Sequence, residues 1–355
     1  MKLSQVIEEL VEEKGLDRNL LSSIICDGLL AAYNKRFPDL SFLVSYNRKT
    51  DEIEIKAQKK VVATVANDDT EISLRKAKAI DPNAEIGSEL AVPFEGKIGR
   101  IEILRAKQVI ATKIRGVEAA AVYNEYKDRK DTIVHGTIHK CERNGMSLKL
   151  DDTLAFLPNS LSLPTDKCIV GYSIRALLKD VLPEPRNDYQ LILDRASADF
   201  VRRLFELEIP EIFEKIVEIK KIVRIPGYKT KVAVVSHDKN IDPVGTCVGV
   251  GGVRIKPILK ELGGEKIDVI PWRESIEDMI ADALKPAAVG RVEVIDSSSA
   301  QVWLDEDQRS LAIGKMGQNI ALASQLVGLN INLVQGDKAR GHDIDLEHKS
   351  DHMIE

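Results

Sequence analysis

Two glycine brackets in equivalent settings constrain this chain more than any other feature. Gly249-Val250-Gly251-Gly252 is followed by a helix-like run ending at Leu262 and a strand-like Lys266-Ile267-Asp268-Val269-Ile270. Gly314-Lys315-Met316-Gly317 lies 65 residues further on, followed by Gln318 to Leu326 and then Asn330-Ile331-Asn332-Leu333. A Gly-x-x-Gly turn between two short helices lets peptide N–H groups approach phosphates closely, because glycine has no Cβ and accepts left-handed backbone angles. Such a turn clamps the backbone of about four nucleotides. One copy is a weak signal and often only a turn. Two copies with matching flanks point to a chain that follows a length of single-stranded RNA.

Charge runs against that reading until it is resolved along the sequence. The net charge is −5 over 355 residues. Between Lys220 and Lys260, however, nine Lys or Arg stand against two Asp, a local balance of +7. This basic stripe contains Arg224, Lys229 and Lys231 as well as the first bracket with Arg254 and Lys256, the footprint expected of phosphate contacts. In the second bracket Lys315 sits inside the turn beside Met316, and Gln318 and Asn319 follow where they could hydrogen-bond base edges. The last fifteen residues hold five acids against Lys349 and read as a flexible acidic tail, 336–355.

The length suggests two or three domains, and the pattern divides accordingly. Residues 1–127 read as a mixed α+β domain: Ile7, Leu10 and Val11 at helical spacing, a helix over 18–35, alternating strands near 42–46 and 53–56, and a long, highly charged helix over 100–126 that serves as a stiff connector. Residues 131–196 offer five short strands, near 133–139, 146–150, 153–157, 168–178 and 189–193, which suit an OB-type barrel. Its aromatics are few (Phe156, Tyr172, Tyr189), so RNA contact there is expected to be weak and carried by Lys140, Arg143, Lys149 and Arg175. Residues 198–273 and 274–335 repeat one αββααβ order, that of a bacterial-type KH module, and the short link between them should fix the spacing of the two clamps.

Other chemistries fit poorly. Arg254 stands where a dinucleotide fingerprint needs Gly or Ala, and Met316 where a P-loop needs Ser or Thr. No nucleophile–base constellation is present, so no enzyme activity and no cofactor is expected. His135, His139 and His237 lack metal spacing, and a disordered acidic tail explains His342, His348 and His352 among their acids better than a metal site does. No apolar run is long enough to span a bilayer, and Glu8 and Glu9 interrupt any signal peptide. Cys26, Cys141, Cys168 and Cys247 are scattered without a C-x-x-C pair, so four reduced thiols in a cytoplasm are expected.

Several runs resemble the NusA family of transcription factors. They are residues 224–234 (Arg-Ile-Pro-Gly-Tyr-Lys-Thr-Lys-Val-Ala-Val), 241–249 (Ile-Asp-Pro-Val-Gly-Thr-Cys-Val-Gly), 264–268 and 312–325, with Ile72-Ser73-Leu74 and residues 106–110 in the first domain. The resemblance covers about residues 1–335. It implies an amino-terminal domain docked on core RNA polymerase beside the RNA exit channel. An S1-class barrel and two KH modules would then hold the nascent single-stranded RNA, with effects on pausing, intrinsic termination and antitermination alongside other Nus factors. A monomer is expected. Two departures stand out. Gly251 occupies the place of the family's basic residue in the first bracket, which throws phosphate affinity there onto Arg254 and Lys256. Some relatives also carry acidic repeats beyond the second KH module that restrain RNA binding, and here that restraint should be absent unless the short tail imitates it. The rival class is an RNA-decay or ribosome-associated KH/S1 protein; the order of modules and the short upstream region fit a phosphorolytic exoribonuclease poorly.

Overall fold

The computed structural model describes residues 8–9, 11–12 and 16–335. The helical spacing of Ile7 and Leu10 and the acidic tail 336–355 lie outside the described residues. The chain forms two compact units, Met1–Asn124 and Glu125–Glu355.

In the first unit, α1 (Arg18–Arg36) starts where Asp17 accepts hydrogen bonds from the N–H groups of Asn19 and Leu20, filling donors that a helix start leaves open. Strand β2 (Glu52–Val62) is the centre of the sheet. It pairs antiparallel with β1 (Ser41–Asn47) and β4 (Glu89–Pro93) and parallel with β3 (Glu71–Ser73), which leads into α2 (Leu74–Ile80). Tyr33 of α1 meets Phe42 and Phe94 in tilted and edge-on ring contacts, so the helix is seated by shape as well as by apolar area. Helix α3 (Arg100–Tyr126) follows, as the sequence led us to expect.

The second unit begins with a closed barrel. Strands β5 (Ile133–Glu142), β6 (Gly145–Leu150), β7 (Thr153–Pro158), β8 (Ser173–Arg186) and β9 (Tyr189–Asp194) close in the order β5-β6-β7-β9-β8. β7 pairs parallel with β9 and β5 antiparallel with β8, the connectivity of an OB fold. The fourth strand begins at Ser173, not at residue 168 as the sequence suggested, because residues 162–172 form a loop across the barrel wall. That loop overturns a second expectation. Cys168 within it and Cys141 on β5 form a disulfide, their Cα atoms 5.9 Å apart, so only Cys26 and Cys247 are free. The curl of the barrel brings together two cysteines separated by 27 residues, which their spacing along the chain did not reveal.

Two αββααβ modules follow. The first comprises α4 (Ala198–Glu208), α5 (Pro210–Phe213), β10 (Val217–Ile225), β11 (Lys229–Ser236), α6 (Pro243–Val248), α7 (Ile255–Glu261) and β12 (Lys266–Pro271). The second comprises α8 (Ile276–Leu284), β13 (Arg291–Asp296), β14 (Ser299–Leu304), α9 (Glu306–Ile313), α10 (Gln318–Val327) and β15 (Asn330–Gln335). In both, the middle strand pairs antiparallel with the one before it and parallel with the last. Their cores are shared rather than separate. Leu163 and Leu177 of the barrel pack with Phe200, Phe205 and Val232 of the first module. Val223, Ala233 and Ile270 of that module pack with Ile280, Leu322 and Leu326 of the second. Two apolar clusters, one joining barrel to first module and one joining first module to second, therefore hold these parts together.

Candidate nucleic-acid interface

The two brackets have the same backbone. Each first glycine is nearly extended with positive φ: Gly249 at φ 74°, ψ 164° and Gly314 at φ 70°, ψ 179°. Each third residue is left-handed, Gly251 at φ 61° and Met316 at φ 54°. So is each fourth, Gly252 at φ 75° and Gly317 at φ 74°. The first glycine is required by packing too. A Cβ on Gly314 would lie 2.7 Å from Cβ of Asn319, and one on Gly249 3.0 Å from Cγ of Arg254. The last glycine is different. A Cβ on Gly317 would meet nothing, and one on Gly252 only side-chain carbons at 3.8 Å, so the outer lip of each turn faces open space. Val250 (95% exposed) and Met316 (86%) project from the two turns. The arrangement offers bare backbone at a surface, which is what close approach to a phosphate needs.

The charged residues divide into exposed and committed groups. Lys256 and Lys315 are exposed beside their turns, and Lys140 and Arg143 are exposed at the β5–β6 hairpin of the barrel. Arg254 is engaged: its guanidinium contacts both carboxylate oxygens of Glu211 at 2.9 Å and donates to the carbonyl of Thr246 at 3.0 Å. Arg224 is buried in a pair with Glu265, whose carboxylate also accepts from Thr230 and from the N–H of Gly227. Lys231 is fully buried against Asp268 at 2.8 Å, and burial pulls its pKa down. Lys229, mostly buried, shares Asp268 at 2.7 Å. Arg175 pairs with Glu208 and Glu261. These five cations read as phosphate contacts in the sequence, but the structure turns them to acids of the same unit. The side chains of Arg224 and Lys231 are buried as well as paired, and that of Lys229 mostly so, while Arg254 and Arg175 are paired but part-exposed; a cation held by an acid of its own unit has less charge to offer a phosphate.

Asn319 also departs from expectation. It is 5% exposed, and its amide nitrogen donates to the carbonyls of Leu284, Leu311 and Ala312. It braces the turn and cannot reach a base edge. Gln318 is half-buried, and its amide oxygen has no hydrogen-bond partner. In the barrel, Phe156 and Tyr189 stack on one another with centroids 5.0 Å apart, which leaves Tyr172, 62% exposed, as the ring free to stack on a base.

A groove of about 1070 Å³ runs between the barrel and the first module. Lys167, Ile169 and Tyr172 of the 162–172 loop form one wall; Val253, Lys256 and Lys260 at and beyond the first bracket form the other. Its floor is a buried ion cluster. Arg195, 3% exposed, holds Asp166 through Nε at 2.9 Å and Nη2 at 3.0 Å, and Glu261 through Nη1 at 2.6 Å. Sequence reading missed Lys167, Tyr172 and Lys260 as a group, because only the folded barrel brings the loop opposite α7.

Comparison with known proteins agrees along most of the chain. Residues 2–120 match the NusA N-terminal domain, residues 195–272 the NusA-like first KH domain and residues 276–340 the NusA-like second KH domain. A transcription termination/antitermination protein NusA from Thermus thermophilus is 34% identical over 349 residues, covering 94% of this chain and 89% of that one. Its counterpart from Bacillus subtilis is 33% identical over 342 residues, covering 96% and 92%. Another, from Rickettsia conorii, is 34% identical over 342 residues, covering 94% and 67%. Among the described residues no helix is long and apolar enough to cross a membrane.

Proposed function

Because the chain belongs to the NusA family of transcription termination/antitermination proteins, we propose that it acts by gripping core RNA polymerase and the emerging transcript at once. It is a transcription elongation factor. In this reading residues 1–127 dock beside the RNA exit channel, the barrel at 131–196 guides the strand, and the modules at 198–273 and 274–335 clamp it. Docking raises the local RNA concentration, so weak individual contacts suffice. The outcome is a change in pause lifetime, intrinsic termination and antitermination, without a catalytic step, in the cytoplasm, by a monomer working with other Nus factors.

The observation that carries this reading is the repeated turn itself. Two brackets share one backbone, each with a lip facing open space, beside Lys256 and Lys315 on modules joined by one core. Helix α10 starts at the second turn and adds the favourable field of its first N–H groups.

Single-round transcription through a hairpin pause, with purified polymerase and the full chain, tests it. Gly252→Asp and Gly317→Asp place a carboxylate at each open lip, and Asp tolerates left-handed angles better than most residues. The paired variant should bind single-stranded RNA at least about tenfold more weakly, through like-charge repulsion, and should lose the pause effect. A pause extended equally by both proteins would remove the clamps from the mechanism. Co-purification with ribosomes and not with polymerase would favour a stand-alone RNA binder.

A further inference from the structure

Cys141 and Cys168 are the feature that RNA binding by two glycine clamps does not use. Cys141 is exposed near the end of β5, and Cys168 is half-buried in the loop that walls the groove. The loop is anchored on both sides of Cys168. Upstream, Asp166 is held by Arg195. Downstream, the N–H of Gly171 donates to the carbonyl of Ile138, and the N–H of Ile138 donates to that of Tyr172. Between these anchors residues 167–170 belong to no strand, and the disulfide ties them to β5. Lys167 and Ile169, which flank Cys168, line the groove together with Tyr172.

We infer that Cys141 and Cys168 form a reversible thiol–disulfide site whose state sets RNA affinity by pinning one wall of the groove between barrel and first KH module. The inference rests on the RNA-binding reading above. In a reducing compartment a disulfide is ordinarily transient and redox-sensing rather than structural. The co-reactant is a low-molecular-weight thiol. Its thiolate attacks one sulfur and expels the other as a thiolate, giving a mixed disulfide; a second thiol then releases the protein sulfur. Two small thiols thus lose two electrons and become one disulfide, and the protein gains two thiols; oxidation is the reverse. Exposure of Cys141 gives the small thiol access. Cys247 is no competitor, because burial pushes its thiol up to about 12 and keeps it protonated.

The bond acts through pre-organisation. With it, Lys167, Ile169 and Tyr172 are held opposite Val253, Lys256 and Lys260 before RNA arrives; without it, the strand must order residues 167–170 on binding. Fixing one such rotamer-rich side chain in advance corresponds to a roughly two- to tenfold gain in affinity.

The test uses the full chain equilibrated with oxidised or reduced glutathione, with thiols counted by alkylation and intact mass. Affinity for a fluorescent single-stranded RNA of mixed sequence is read by anisotropy, and the order of residues 167–170 by hydrogen exchange. The oxidised protein should bind roughly two- to tenfold more tightly than the reduced one and protect residues 167–170 more. The Cys141→Ser, Cys168→Ser variant should show the reduced value in both buffers. Equal affinity of the two wild-type forms at verified thiol counts would overturn the inference. So would unchanged exchange, a shift that persists in the serine variant, or no bond at any glutathione ratio. RNA binding by neither form would instead strike the RNA-binding reading itself, and this inference with it.

Discussion

Nζ of Lys229 in the first KH module lies 3.2 Å from Oδ1 of Asn319 in the second, so one hydrogen bond ties the middle strand of one module to the residue that braces the other's glycine turn. The amide of Asn319 is then fully used, with its nitrogen on three carbonyls and its oxygen on Lys229. Asn319→Ala should destabilise the two-module unit by about 2 kcal/mol, because it strands buried acceptors. Asn319→Asp should cost more, since a carboxylate would face three carbonyls. Denaturant unfolding of the full chain measures both. Base preference in RNA binding should be unchanged by either, as expected for a brace that meets no base.

Lys256 and Arg254 stand two residues apart beside the first clamp and should behave differently. Lys256 is exposed, so Lys256→Ala should weaken RNA binding and reduce the steepness of the falling slope of log affinity against log salt by about 0.7 to 1. Arg254 is held by Glu211 and Thr246. Arg254→Ala should therefore leave that slope unchanged and lower stability by about 1 kcal/mol, a modest figure because the pair is part-exposed. A salt titration of RNA affinity for the two variants separates the roles; a reduced slope for Arg254→Ala would return it to the phosphate contacts.

The difference between those two residues also marks how far the sequence could be read. The αββααβ order, the barrel and the long helix α3 follow from periodicity and glycine placement, which are local properties. Which cations are free is not local. Arg254 finds Glu211 43 positions away, Arg224 finds Glu265 41 away, and Lys229 finds Asn319 90 away. A basic stripe counted along the chain cannot separate a lysine facing solvent from one buried against an aspartate on the next strand. The same limit hid the Cys141–Cys168 bond and the groove, both of which depend on where a loop without strand structure crosses the barrel.

The Arg195 cluster joins barrel to first module through buried charge, and its removal should be severe. Arg195→Met would leave Asp166 and Glu261 without their shared cation in sites only 10% and 17% exposed. Breaking such a buried pair costs about 3–5 kcal/mol. We expect a loss of that order in chemical denaturation, with barrel and KH signals no longer unfolding together. Arg203→Ala, at the more open i,i+3 pair with Glu206, serves as the control and should change stability by no more than about 1 kcal/mol.

The acid limb of the stability profile should carry a signature of Asp296. At the turn between β13 and β14 its carboxylate accepts from the N–H of Ser298 at 2.7 Å and from the hydroxyls of Ser298 and Ser299 at 2.7 and 2.8 Å. These donors favour the ionised form and hold its pKa down to about 2, below the ordinary 3.8. The folded state therefore binds fewer protons than the unfolded state between those values, and stability rises with pH across the interval. The contribution is fully present above the unfolded pKa and disappears as pH falls through the folded one. Asp296→Asn cannot ionise, so it should remove this part of the slope while the rest of the acid transition remains. Unfolding midpoints of both proteins between about pH 5 and pH 2 would read the difference, and an NMR titration of the Asp296 carboxyl would give its pKa directly. Parallel acid limbs, or a carboxyl titrating in the ordinary range, would mean that the three hydrogen bonds of the turn do not persist in solution.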